Sequence, residues 1–146
     1  MWTNGGLKRI MDGTLNLSTA TLKFMLLGIA YVPDPDHEFA SSLTAHELNG
    51  TGYTGGFGGG GRKTLASKVF AKDDTNDCAT LDCTDPVWAG ADAGTVGTVA
   101  IITEITNDAA SPVIALIPLS PPVEMRSGSF TLQLGAYVLK LRSVSV

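Results

Sequence analysis

The chain is organised around residues 95–134, which read TVGTVAIITEI (95–105), TNDAAS (106–111), PVIALIPLSPP (112–122) and, after VEMR, SGSFTLQL (127–134). The first block is rich in β-branched residues. Its apolar side chains occupy both sets of alternate positions, which predicts a strand covered on both faces. The short polar side chains and the proline at 107–112 are typical of a turn. Apolar and polar residues alternate from Phe130 to Leu134, which predicts a strand with one buried face.

The rest of the chain predicts shorter elements separated by turns. Leu7–Met11 has helical spacing, and Glu38–Leu48 favours a short surface helix or turn. Further strands are predicted at 21–32, 62–70, 78–84, 113–119 and 137–142. We therefore expect an all-β fold with one or two short helices, built as an antiparallel β-sandwich that is jelly-roll-like or related.

Length and charge limit the class of protein. A chain of 146 residues predicts a single domain, here 1–146, with a short N-terminal arm and a glycine-rich loop at 50–61. The net charge of -4 argues against a nucleic-acid partner, because phosphate contacts need clustered Lys or Arg. The most apolar run, Phe24–Val32, is too short to span a bilayer as a helix. It is interpreted as a central strand, and no membrane partner is expected.

The two cysteines, Cys78 and Cys83, lie close together in sequence and have no histidine at metal-ligand spacing. On one strand they would point to opposite faces, so a disulfide between them would require a turn. We favour free thiols, which suits a protein matured in a reducing cytosol.

The glycine-rich loop contains two matches to G-x-G-x-x-G, at 50–55 and 56–61. Dinucleotide binding requires that turn between a strand and a helix, but the residues after this loop have a strand pattern. Chance matches are expected in any glycine-rich stretch, so no cofactor is predicted. Because glycine is costly to order, we expect a mobile loop unless a partner holds it.

Chemistry-bearing residues are few. The acidic segments at 34–38 and 73–77 lack calcium-loop spacing, and their Pro, Asp and Asn residues are typical of turns, so no metal is predicted. His37 and His46 are the only imidazoles, and no Ser lies in a G-x-S-x-G elbow. We predict no catalytic residues and no enzymatic activity.

Aromatic residues in terminal or loop segments are the candidate contact residues. Trp2, Tyr53 and Phe57 are flanked by glycine or other loop residues, and rigid aromatics on exposed segments are favoured interface anchors. These three are the predicted protein-interface residues. Trp88 is predicted to fold over the sheet as part of the core.

Several segments, spread from about residue 6 to residue 141 in order, resemble a group of small structural proteins of tailed bacteriophages. The segments that carry the resemblance are GLKRIMDGTLNLSTATLKFMLL, AYVPDPDHEF, ELNGTGYTGG, KDDTNDCATLDCTDPVWA, AGTVGTVAIITEI, DAASPVIALIPL and SGSFTLQL. The long glycine run at 58–61 is a local elaboration.

The resemblance implies a virion structural protein that is assembled in the host cytoplasm and localises to the virion. It suggests a head decoration (cement) protein, a homo-oligomer and most readily a trimer, bound to the outer surface of the major capsid protein shell. A tail- or neck-associated component (tube, tip or fibre module) is the alternative. A host-surface carbohydrate-binding or hydrolytic β-domain, using residues 34–38 and the loop aromatics, is the alternative from another class.

Overall fold

The computed structural model describes residues 1–126 and 128–142, and strands dominate it. These described residues contain one α-helix, α1 (Asn4–Met11), and two single-turn 3₁₀ helices, Ala40–Ser42 and Thr44–His46. The strands are β1 (Leu22–Gly28), β2 (Lys63–Thr64), β3 (Val69–Asp73), β4 (Cys78–Asp82), β5 (Val87–Ala89), β6 (Gly94–Thr103), β7 (Val113–Met125), β8 (Ser129–Thr131) and β9 (Leu139–Arg142). The prediction of an all-β fold is confirmed.

The strand pairs in the described part of the chain are antiparallel, and they form three sheets. The largest has the order β2-β1-β6-β7, the second β3-β4-β9, and the smallest pairs β5 with β8. The first two sheets each contain a strand from a distant part of the chain: β6 lies beside β1, and β9 lies beside β4. The local alternation of residues predicts strands, but it does not predict these partners.

The four-stranded sheet is covered on both faces, as the apolar composition of residues 95–105 predicts. Because side chains alternate along a strand, Phe24 and Leu26 of β1 point to one face and Met25 and Leu27 to the other. The first face packs into a large cluster with residues of the two smaller sheets, including Leu81, Trp88, Phe130 and Leu139. The second face packs against Tyr31, Ala40 and Leu43. This layering is compatible with a sandwich.

The first strand, the segment 62–70 and β7 differ from the sequence-based predictions. The first strand ends at Gly28 rather than Val32, because a turn closes there with Tyr31 N donating to Gly28 O at 3.1 Å. Ile29 and Val32 are consequently exposed, so the apolar run is only partly a central strand. The predicted strand 62–70 is divided into β2 and β3, and Ser67 between them has a φ of 54°, outside the extended region.

The third difference is that β7 continues to Met125, beyond the predicted end at Leu119. The strand contains Pro118, Pro121 and Pro122, which lack an N–H to donate. It lies at the edge of its sheet, so only one of its sides faces a neighbouring strand, and Pro121 and Pro122 fall where its register with β6 shifts between Val96 and Thr98. The edge position therefore explains how a proline-containing strand extends so far.

Candidate functional site

The N-terminal arm is held against the body of the protein by main-chain and side-chain contacts. Trp2 forms an isolated antiparallel bridge with Ala115, and its indole Nε1 donates to Lys140 O at 2.8 Å. Thr3 is buried, caps α1 by accepting from Gly6 N at 3.0 Å, and donates to Val113 O at 2.6 Å. The predicted contact residue Trp2 is therefore half-buried in a fixed position.

Trp2 forms one wall of a shallow apolar groove on the three-stranded sheet. We call this surface the apolar groove; it is lined by Trp2, Leu17, Phe70, Ala79, Thr80, Leu81, Leu139 and Leu141. Leu81 and Leu139 form its base and are nearly inaccessible, whereas Phe70 is 46% exposed and Leu141 is 37% exposed. The groove thus runs from the core to the surface without an intervening charged side chain among its lining residues.

Strand register explains why these residues share a face. Phe70 lies opposite Leu81, which lies opposite Leu139, and one step further along Ala79 lies opposite Leu141. Positions two apart on a strand point the same way, so these residues form one apolar strip on the side of the sheet that faces the core. The part of the fold that covers this side of the three-stranded sheet does not reach its outer end, so the strip is left open there.

The groove is suited to binding an apolar side chain and has no obvious means of catalysis. Its lining consists mainly of aromatic and aliphatic side chains, and the indole N–H of Trp2 already donates to a main-chain carbonyl. Aromatic and aliphatic residues around a pocket are the usual composition of the buried centre of a protein interface. The arrangement therefore favours protein recognition.

The other two predicted contact residues lie outside the groove. Phe57 is 44% exposed on the glycine-rich loop. Tyr53 is fully buried, so its prediction as an exposed contact residue is wrong. Its hydroxyl accepts from Leu26 N at 2.9 Å and donates to a Glu47 carboxylate oxygen at 3.1 Å. Because β2 pairs with β1 only at Lys23 and Phe24, Tyr53 satisfies a main-chain N–H beyond the end of that pairing.

Arg62, which sequence analysis did not single out, is the centre of a buried ionic cluster. Its guanidinium binds Glu47 through two hydrogen bonds, Nε to Oε1 at 2.8 Å and Nη2 to Oε2 at 2.7 Å. Its Nη1 donates to Asp108 at 2.6 Å and to Glu104 at 3.2 Å, and Glu104 also binds Lys23. We call these five residues the Arg62 cluster.

Electrostatics in the cluster favour the charged arginine despite its burial. The Arg62 side chain is only 1% exposed, and burial lowers its pKa. The hydrogen bonds that Arg62 donates to Glu47 and Asp108 outweigh that effect, so the net shift of the Arg62 pKa is upward. Burial is the main cause that raises the pKa of Tyr53, and the nearby Glu47 charge is the second. The Tyr53 hydroxyl therefore stays protonated and can donate.

The Arg62 cluster also anchors the glycine-rich loop. Glu47 Oε2 accepts from Gly56 N at 2.9 Å, and Thr54 O accepts from Gly61 N at 2.9 Å. Trp88, buried as predicted, donates from its indole to Gly61 O at 2.6 Å. The loop that was expected to need a partner thus has intrachain partners at its middle and its end.

Sequence reasoning had no local signal for this cluster. Arg62 is followed directly by Lys63, which is exposed, and nothing in their neighbourhood distinguishes the two cations. The carboxylates that bind Arg62 lie 15, 42 and 46 residues away in the chain. The pairing of Arg62 with these carboxylates follows only from contacts between distant parts of the folded chain.

The two acidic segments make local turn and packing contacts. Asp34 Oδ1 accepts from Asp36 N at 2.9 Å, and the Asp73 carboxylate accepts from the main-chain N of Thr75 and Asn76 at 3.0 and 3.1 Å. These contacts are those of Asx turns, in agreement with the turn interpretation. Glu38 forms an ion pair with Arg9 at 2.8 Å. Within residues 1–126 and 128–142, no three His, Cys, Asp or Glu side chains come together as a metal site.

The histidines and cysteines occupy separate positions. His37 Nδ1 lies 2.8 Å from the Tyr31 hydroxyl, and the His46 ring lies 5.5 Å from the Tyr31 ring centre. Cys78 and Cys83 are free thiols, as predicted, and Cys83 is buried. None of these residues lines the apolar groove.

Comparisons with known proteins give no family assignment. No protein-family model matches this chain, and no curated protein and no solved structure matches it either. Among the described residues, no helix has the length and apolar character needed to cross a membrane. Function is therefore inferred from the sequence resemblance and from the surface of the protein.

Proposed function

We propose that this protein is a bacteriophage virion structural protein, most specifically a decoration protein that binds the outer surface of the major capsid protein shell as a homo-oligomer and stabilises it. The resemblance to small structural proteins of tailed phages motivates this assignment. The observation that carries it is the apolar groove, an open extension of the core in which Phe70 and Leu141 remain partly exposed beside Trp2.

Binding through the groove would follow the physics of protein interfaces. An apolar side chain of the capsid protein would enter between Phe70 and Leu141 and cover the side chains at the base. Removing apolar surface from water contributes about 25 cal/mol per Å². A few well-packed aromatic and aliphatic contacts commonly dominate such interfaces. Repetition of the contact by capsid symmetry would make a modest single affinity sufficient, because linked binding events raise overall avidity.

The polar side chains support binding rather than chemistry as the role of this protein. The residues of the Arg62 cluster and of the segment 34–38 are engaged in contacts that shape loops and turns. The lining of the apolar groove, by contrast, contains no charged side chain. This favours the virion proposal over a host-surface carbohydrate-binding or hydrolytic domain.

The first test counts copies in purified virions of the phage that encodes the chain, by quantitative mass spectrometry. Hundreds of copies per particle are expected for a shell decoration protein. A few dozen copies or fewer would move the protein to the tail or neck. Absence from mature particles would overturn the virion proposal itself.

The second test places a charge in the apolar groove. Leu141→Asp should weaken binding to purified capsid shells by at least about tenfold, because a desolvated carboxylate would have no partner there. Val123→Asp is the matched control, since Val123 is 41% exposed and lies outside the groove. Equal shell binding by the two folded variants would contradict the groove as the contact surface.

A further inference from the structure

The edge strand β3 lacks the prolines that protect β7, the long edge strand of the four-stranded sheet. It is a terminal strand of its sheet and pairs without a bulge to β4 alone. Val69, Phe70 and Ala71 are consecutive, apolar and exposed. By contrast, the edge strand β7 contains three prolines, and the edge strand β2 is only two residues long. Unprotected edges present unpaired main-chain groups that another strand can bind.

We infer that β3 pairs with β3 of a second copy of this chain, as an antiparallel two-fold pair centred on Ala71. The pairing joins the two three-stranded sheets into one of six strands. This inference does not depend on the capsid proposal. It also predicts a two-fold contact, whereas the resemblance suggests a trimer.

Symmetry limits the possible registers. A two-fold axis that makes two identical strands antiparallel neighbours stands perpendicular to the sheet, so both copies present the same face on the same side. Residues directly opposite each other must then share a face, so the axis must pass midway between one residue and the same residue of the second copy. The interior positions of β3, namely Phe70, Ala71 and Lys72, are the candidate centres.

Charge selects among these registers. A centre at Phe70 places Lys68 opposite Lys72 of the second copy, and a centre at Lys72 places that residue opposite itself. Like charges directly opposite each other are unfavourable. A centre at Ala71 avoids both, places Lys72 opposite the Phe70 ring of the second copy, and brings Asp74 opposite Lys68.

The side chains in this register differ in how freely they can contact a second copy. Lys72 is 81% exposed and, among the described residues, forms an ion pair with Asp74, which is 76% exposed, so its ammonium group can reach a ring of the second copy. Lys68 already donates to Leu17 O at 2.7 Å and Ala20 O at 2.5 Å within its own chain. The register is therefore determined chiefly by the Phe70–Lys72 contact, which occurs twice.

The test is sedimentation velocity of the purified full chain over a range of concentrations. A dimer that forms with increasing concentration is expected, with weak affinity because the contact is small. Phe70→Lys should raise the dissociation constant at least about tenfold, since it creates two Lys–Lys contacts. Combining Phe70→Lys with Lys72→Glu should restore the dimer, since two opposite-charge contacts then form.

The rescue is specific to the register centred on Ala71, because positions 70 and 72 face each other across the axis only there. A double variant as weakly associated as the single variant would overturn the inference. A wild-type chain that stays monomeric, or a trimer that Phe70→Lys leaves intact, would also overturn it. Hydrogen exchange of the wild-type chain provides a readout without substitutions: amide protection in β3 should rise with concentration, and unchanged protection would contradict the pairing.

Discussion

Arg62 is the residue on which the arrangement of one side of the molecule depends. Its guanidinium holds Glu47 at one end of a loop, Asp108 in another turn and Glu104 beyond the end of β6. A buried ion pair recovers its desolvation cost only when its geometry is good and its remaining hydrogen-bonding groups are satisfied. Here the fork of Arg62 matches both Glu47 oxygens, as bidentate pairing requires.

Removing Arg62 should therefore be strongly destabilising. Arg62→Met leaves the Glu47 and Asp108 carboxylates without their main partner, and breaking such a buried pair typically costs about 3–5 kcal/mol. Arg126→Met is the matched control, because Arg126 forms an ion pair with Glu124 and is 82% exposed. Its loss should change the free energy of unfolding by no more than about 1 kcal/mol. Urea denaturation measures both, and equal midpoints would contradict a structural role for the cluster.

The two cysteines should differ in reactivity. Burial, together with Asp82 and Asp85, raises the pKa of Cys83 from its ordinary value of 9.0 to about 11. Its thiolate, the reactive form, is therefore scarce at pH 8. Iodoacetamide at pH 8 should modify Cys78, which is half-buried, well before Cys83, and peptide mass spectrometry identifies the modified residue. The denatured protein is the control, because both cysteines should react at equal rates there. Equal rates in the folded protein would contradict this assignment.

The same shift has a consequence for stability against pH. A thiol whose pKa is higher in the folded state contributes stability fully below its unfolded pKa and loses that contribution as pH rises through the folded value. For Cys83 the loss falls between pH 9 and about 11. Cys83→Ala should flatten the pH dependence of the melting temperature in this window relative to the wild-type chain.

At the scale of elements, the contact between α1 and β7 depends on a glycine. A Cβ at Gly6 would lie 2.5 Å from Ile114 O and 2.8 Å from Thr3 Oγ1, whereas a Cβ at Gly5 would meet first the flexible Glu38 side chain at 3.0 Å. The helix can therefore approach the strand this closely only because residue 6 has no side chain. The capping hydrogen bond of Thr3 lies at the same contact.

Substitution of these adjacent glycines should have opposite consequences. Gly6→Ala should destabilise the fold by about 1–3 kcal/mol, the usual cost of overpacking. Gly5→Ala should be close to neutral or slightly stabilising, because alanine is favoured over glycine in a helix by up to about 1 kcal/mol. Thermal unfolding followed by circular dichroism compares them, and similar melting temperatures for the two variants would show that the helix can move away from β7.

At the scale of the whole molecule, the four-stranded sheet separates two apolar clusters. One contains the side chains of β1 and β6 that face the smaller sheets, and the other contains those that face Tyr31, Ala40 and Leu43. A sheet covered on both faces requires apolar residues at consecutive positions, and 95–105 has them. This is why the strand predicted at 95–105 corresponds closely to β6, whereas β1 is shorter than predicted.

The surface was less predictable. Tyr53 and Phe57 lie in the same glycine-rich loop and look alike in sequence, yet Tyr53 is fully buried and Phe57 is 44% exposed. The difference arises because the Tyr53 hydroxyl finds Leu26 N and Glu47, which belong to other elements. Trp2 was predicted to be a contact residue, but its groove partners Phe70 and Leu141 were not, because only the register of β3, β4 and β9 aligns them.

What the amino-acid order alone determined is local: strand periodicity, turn chemistry at 107–112, a short helix at 7–11, and free thiols. These follow from interactions between near neighbours, which repeat with the period of the backbone. The tertiary structure decided which strands pair, which cation is buried, and which apolar residues stay open as a groove. These depend on contacts between residues distant in the chain, such as Arg62 with Asp108, whose partners are chosen by packing and charge in three dimensions.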